Sequence, residues 1–154
     1  METIKVVLIG AGLRGRAYTD IMKDSGFTVV GVADPNKSRR DSIKNIHNIP
    51  DDMCFENWDE LFKQPKLADV AVIATQDKYH YEPAMKAIEK GYNILLEKPV
   101  APTPEECADI SMLAKEKGVK VLVCHVLRYT PFFKKIKAYI FQLQHVEDTT
   151  LILR

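Results

Sequence analysis

Five short apolar runs recur along the chain: IKVVLIG (4–10), FTVVGVA (27–33), VAVIAT (70–75), YNILLE (92–97) and VKVLVCH (119–125). Each is continuous rather than alternating, and most are rich in β-branched residues. A strand with one face in water alternates apolar and polar side chains, so continuous runs mark strands covered on both faces, as in a parallel sheet. Amphipathic segments fill the gaps between them. This alternation predicts an α/β fold, a doubly wound parallel sheet with right-handed crossovers.

The helices carry their own punctuation. Residues 13–24 follow the first strand, and residues 36–47 follow the second after Asp34-Pro35-Asn36, which has turn and cap chemistry. A weak strand at Met53 to Phe55 precedes one short helical turn at Asp59 to Lys63. Residues 79–90 set Ala84, Ala87 and Ile88 on one face and close at Gly91. Thr103-Pro104-Glu105-Glu106 opens a further helix with a cap, a proline in the first turn and early acids, and Gly118 closes it. After His125 the alternation stops. RYTPFFKKIKAYI reads as an amphipathic helix and TTLILR as the start of a strand. Residues 1–125 are therefore expected to form one domain, and residues 126–154 a linker helix with the beginning of a second.

Charge and cysteine usage narrow the partners. Among 154 residues, 22 basic and 21 acidic side chains leave a formal net charge of +1, which argues against nucleic acid and for a small ligand. Cys54, Cys107 and Cys124 show no C-x-x-C spacing, so neither a disulfide framework nor a metal site is expected. The N-terminus lacks the basic start and apolar stretch of a signal peptide, and no apolar run approaches about 18 residues. The expected setting is soluble, reducing and cytoplasmic, without a membrane partner.

Gly10-Ala11-Gly12-Leu13-Arg14-Gly15 matches G-x-G-x-x-G, placed after one predicted strand and opening a predicted helix. The first glycine permits a tight turn, the second lets the backbone approach a pyrophosphate, and the third lets helix pack on strand. The helix N-terminus then offers free N–H groups to phosphates, and Arg14 within the loop adds positive potential. Asp34 ends the second strand about 20 residues beyond the loop, where a carboxylate accepts hydrogen bonds from the adenosine ribose hydroxyls. At about 4 Å and an effective dielectric near 20, each unit of 2′-phosphate charge beside it would cost on the order of 4 kcal/mol. This favours NAD, with NADP as the alternative if Arg39 or Arg40 swings toward a 2′-phosphate. S-adenosylmethionine methyltransferases share a glycine-rich first loop and an acid at that place, but their loop usually reads G-x-G-x-G.

The remaining strand ends point to the same crevice. Ala74, Thr75 and Gln76 end the run at 70–75, where open α/β sheets bind ligands and where the nicotinamide-side ribose would lie. His80 either sits above that crevice or supports a helix start. Strand 92–97 finishes in Glu97-Lys98-Pro99. Pro99 restricts Lys98 to extended geometry and gives its ammonium a defined direction, a cis Lys98–Pro99 bond being one of the two geometries open to it. Glu97 is expected to pair with a neighbour or a ribose hydroxyl.

Together the loop Gly10 to Gly15, VADPN around Asp34, ATQDKYH with His80, EKP at Glu97 to Pro99 and RYTP at Arg128 to Pro131 resemble the glucose-fructose oxidoreductase, inositol dehydrogenase and MocA family. The resemblance covers essentially the whole chain, and Glu-Lys-Pro is its most specific element. It implies an NAD(P)-binding Rossmann domain followed by an α/β domain that completes the substrate site and often the oligomer contact. It also implies hydride transfer between nicotinamide and a hydroxyl carbon of a sugar, inositol or related polyol, with Lys98 as the catalytic lysine and Arg128 near the active site. Members usually continue for another couple of hundred residues, with an Asp and a His that cannot be matched here. The expectation is thus the cofactor-binding domain of an oxidoreductase, catalytically incomplete by itself and homo-oligomeric when complete. A redox-sensing module with the same fold is the rival from another class, but a sensor has no need of a positioned ammonium.

Overall fold

The computed structural model describes residues 3–144, so the strand expected at TTLILR lies outside the described residues. Six strands form one sheet: β1 (Ile4–Ile9), β2 (Phe27–Ala33), β3 (Cys54–Phe55), β4 (Val70–Ile73), β5 (Asn93–Leu96) and β6 (Val121–Val123). All are parallel, in the order β3-β2-β1-β4-β5-β6. The helices are α1 (Leu13–Asp24), α2 (Lys37–His47), α3 (Trp58–Lys63), α4 (Tyr81–Glu89), α5 (Pro104–Lys117) and α6 (Pro131–Gln144).

Both faces of the sheet are covered, which is why the runs are continuous. Val7 and Ile9 of β1 enter a core with Ala71, Ile73, Ile94, Leu96, Ala84, Ile88 and Ile110. Val6 and Leu8, on the alternate positions, enter the opposite core with Val29, Val32, Val72 and Ile43. Tyr18 and Met22 of α1 pack against that second core.

Capping chemistry sets the helix ends. The Asn36 side chain accepts from the Arg39 amide, Thr103 and Glu106 form a reciprocal capping box, and Gly118 ends α5 in the left-handed region. Strand ends are shorter than the apolar runs. The ladder stops at Ile73 and at Leu96, and the next residues are fastened to the neighbouring strand by Ala74 N–H to Ile9 O (2.8 Å) and Glu97 N–H to Ile73 O (2.9 Å). Likewise Asp77–Tyr79 forms a single 3₁₀ turn before α4 begins at Tyr81. These trimmed ends are the loops that carry the site residues.

The chain leaves β1 toward β2 and β3 on one side, then returns to β4, β5 and β6 on the other. The switch point lies between β1 and β4, where an open α/β sheet parts to form a crevice. One compact unit ends at Cys124 and another begins at His125. In the second, Val126–Tyr129 forms a 3₁₀ turn and α6 follows.

Candidate functional site

The glycine loop leaves β1 through Gly10, which adopts φ +92°; a Cβ there would lie 2.6 Å from Ala74 O. Gly15 sits where a Cβ would be 2.1 Å from Gly10 O, so the helix closes on the strand only without a side chain. At Gly12 a Cβ would meet nothing within 4 Å. That space above the start of α1 is open, as a phosphate approaching the backbone requires. Leu13 and the Arg14 side chain are exposed at the rim.

Asp34 is 5% exposed and its two oxygens are both engaged. Oδ2 accepts the Ala11 amide at 2.7 Å and Oδ1 accepts the Asn36 amide at 2.8 Å, so the carboxylate fastens the glycine loop to the end of β2. Arg40 is buried and donates to the Asp34 carbonyl oxygen at 2.5 Å, with Glu56 at 3.4 Å. The expectation that Arg40 could swing toward a 2′-phosphate is therefore corrected. Arg39 stays at the surface and has no ion-pair partner among the described residues.

A cavity of about 520 Å³ opens at the switch point; its wall includes Gly10, Gly12, Asp34, Ala74, Thr75 and Gln76. Trp58 and Tyr79 also face it, their ring centroids 6.1 Å apart. Sequence reasoning missed both rings. The signal available was their position: each lies in the segment that follows a strand end at the ligand-bearing rim, Trp58 after β3 and Tyr79 after β4.

Lys98 is exposed at the same rim, just past β5, and its ammonium has no partner among the described residues. The Lys98–Pro99 bond is cis. His80 is another matter. It is fully buried, with Nδ1 2.6 Å from Pro99 O and Nε2 3.2 Å from Thr75 O. It braces the loops after β4 and β5 to each other from inside and does not line the cavity, which corrects its expected place above the crevice.

Glu97 is also buried, and of the two pairings expected for it the structure shows the one with neighbours. Its carboxylate accepts the Tyr18 hydroxyl and, at 2.9 Å, the Lys98 amide, with Arg14 Nε 3.8 Å away. Burial first, then the Glu97 carboxylate, pushes the Tyr18 hydroxyl well above its ordinary range. Tyr18 was not foreseen, because its partner is far along the chain. Arg128 belongs to the second unit, where its amide donates to His125 O at 3.0 Å.

Residues 4–125 match the family described as "Oxidoreductase family, NAD-binding Rossmann fold", the glucose-fructose oxidoreductase, inositol dehydrogenase and MocA group. The chain belongs to this family. It is 29% identical over 140 residues to a scyllo-inositol 2-dehydrogenase (NADP(+)) of Bacillus subtilis, covering 91% of this chain and 38% of that protein. It is 28% identical over 130 residues to a 2,7-anhydro-N-acetylneuraminate hydratase of Mediterraneibacter gnavus, covering 84% of this chain and 33% of that protein. The chain thus spans about a third of the length of these relatives. Among solved structures, a WlbA dehydrogenase from Chromobacterium violaceum in complex with NADH and UDP-GlcNAcA aligns with TM-score 0.83 at 15% identity, over 92% of this chain and 41% of that one. That likeness is one of fold. As a member of this family the chain is an NAD-binding Rossmann domain of oxidoreductase type.

Proposed function

We propose that this domain serves a dehydrogenase that moves hydride between nicotinamide and a hydroxyl-bearing carbon of a sugar, inositol or related polyol. The observation that carries the reading is Lys98: an ammonium without a partner among the described residues, at the end of β5, two strands from the glycine loop and next to β4, which borders the cavity at the switch point. A cation beside a substrate hydroxyl favours its alkoxide, and the alkoxide expels hydride. Bound nicotinamide supplies the hydride acceptor. The protein's share is orientation and charge.

In this reading the open space at Gly12 and the start of α1 receive the pyrophosphate, with Gly10, Leu13, Arg14 and Gly15 shaping the loop. Asp34 accepts from the adenosine ribose, and the flat faces of Trp58 and Tyr79 suit the adenine. Ala74, Thr75 and Gln76 flank the second ribose. The buried Asp34 carboxylate supports NAD over NADP, with Arg39 the cation at the cavity wall among the described residues able to soften that preference. Residues 126–154 lead into a second domain that supplies the substrate contacts, the proton-transfer group and the homo-oligomer interface, with Arg128 near the junction. The small molecule and its dinucleotide are then the partners.

The test is a thermal-shift titration with NAD, NADP and S-adenosylmethionine. Ligand at a hundredfold excess over its dissociation constant stabilises the fold by about 2.7 kcal/mol. NAD should raise the melting temperature, and Trp58, the single tryptophan, should report the same binding by fluorescence. A response to S-adenosylmethionine alone, or to none of the three, would overturn the reading.

A further inference from the structure

The Glu97 carboxylate is nearly inaccessible, yet it has two partners on one distant helix and one in its own turn. Removing a carboxylate from water costs several kcal/mol unless donors replace the lost hydration. An apolar residue would close the same space without that cost, so the charge calls for an explanation beyond packing. The donors identify one. Tyr18 donates from α1, the helix that opens at Gly12, where Arg14 adds a cation 3.8 Å away, while the second donor is the backbone amide of Lys98 itself. One carboxylate therefore joins the helix under the glycine loop to the backbone amide bonded to the Cα that carries the Lys98 side chain. Tyr18 remains a donor at neutral pH, because burial and Glu97 both oppose its ionisation.

We propose that Tyr18 and Glu97 form a positioning pair that holds Lys98 in register with the dinucleotide on the glycine loop. This rests on the dehydrogenase reading above. The pair acts through Lys98 and touches neither cofactor nor substrate, so its loss should leave dinucleotide affinity in place while uncoupling the lysine from it.

The experiment follows the Lys98 amide resonance by NMR in the isotopically labelled chain, with and without saturating NAD, beside the NAD dissociation constant from Trp58 fluorescence. Tyr18→Phe keeps the ring that packs on the second core and removes only the hydroxyl; Glu97→Gln keeps the side-chain shape and removes the charge. In the wild type, NAD should move the Lys98 amide. In either variant that response should be lost while the NAD dissociation constant stays at its wild-type value, and the double variant should lose no more than Glu97→Gln alone. Wild-type Lys98 behaviour in both single variants would overturn the positioning role while leaving the dehydrogenase reading intact. Equal loss of NAD affinity would reduce the pair to a fold-holding role and overturn it as well. A wild-type chain that does not bind NAD would sink the underlying reading and this one with it.

Discussion

Two glycines three residues apart in one loop carry opposite predictions. A methyl at Gly12 meets no atom within 4 Å, whereas a methyl at Gly15 lands 2.1 Å from a backbone carbonyl oxygen. Gly12→Ala should therefore fold with a loss of at most about 1 kcal/mol, the scale of a poorer helix cap. It should still weaken NAD binding about tenfold or more, equivalent to about 1.4 kcal/mol, because the methyl fills the space kept for phosphate. Gly15→Ala should lose about 3 kcal/mol of stability, the upper end of overpacking, since the carbonyl it meets cannot move aside. Urea denaturation and NAD titration of the two variants separate these outcomes; equal behaviour would contradict the roles assigned. Asp34→Ala removes the acceptor of the buried Ala11 amide as well as a ribose contact. It should cost about 1–3 kcal/mol in stability, and NAD binding should weaken with it. Asp34→Asn, which keeps one acceptor oxygen, should recover part of the stability in the same melts. The glycines and Asp34 were legible in sequence because their meaning is local: a loop between adjacent elements and an acid at one strand end. Glu97 and His80 were recognisable as residues of interest, but their surroundings were not. Glu97 meets Tyr18 across a separation of 79 residues and His80 meets Pro99 across 19, and no spacing rule reaches across a fold that far.

The elements whose ends were legible are those closed by capping residues. Asn36, Thr103 with Glu106, and Gly118 bound their helices where sequence placed them, because each supplies a backbone group with its missing partner. Strand ends were overextended, since the apolar runs continue past the last ladder residues Ile73 and Leu96, and Ala74 and Glu97 are still fastened to the neighbouring strand there. Helix α2 adds a pH prediction. His47 lies in its last turn, where the helix dipole favours a cation, yet burial lowers its proton affinity below the ordinary value of 6.5; Asp20 opposes that shift and Lys23 reinforces it. Its Nε2 is buried without a hydrogen-bond partner. Because the folded state binds this proton less readily than the unfolded chain, stability is held above the ordinary histidine range. It falls as pH drops through that range, and the fall ends once the folded form is protonated too. Melting temperatures taken between about pH 8 and about pH 5 should therefore decline less in His47→Gln than in the wild type. Parallel decline in the two would remove His47 from the account.

At the scale of the whole molecule, every residue lining the cavity falls between Gly10 and Tyr79, inside the unit that ends at Cys124. The sheet and both its cores are closed within that unit as well. A chain ending after His125 should accordingly fold and bind NAD with the affinity of the longer one, measured by Trp58 fluorescence. The two should differ in how they behave with one another. On α6, Phe132, Phe133, Ile136, Tyr139, Ile140 and Phe141 are each between 37% and 68% exposed, an apolar surface of the kind that drives association. Sedimentation should show the 154-residue chain associating as its concentration rises and the shorter chain remaining monomeric, with NAD affinity equal in both. If the shorter chain lost NAD binding, residues beyond His125 would have to reach the cavity; if it still associated, the contact surface would lie on the sheet domain rather than on α6.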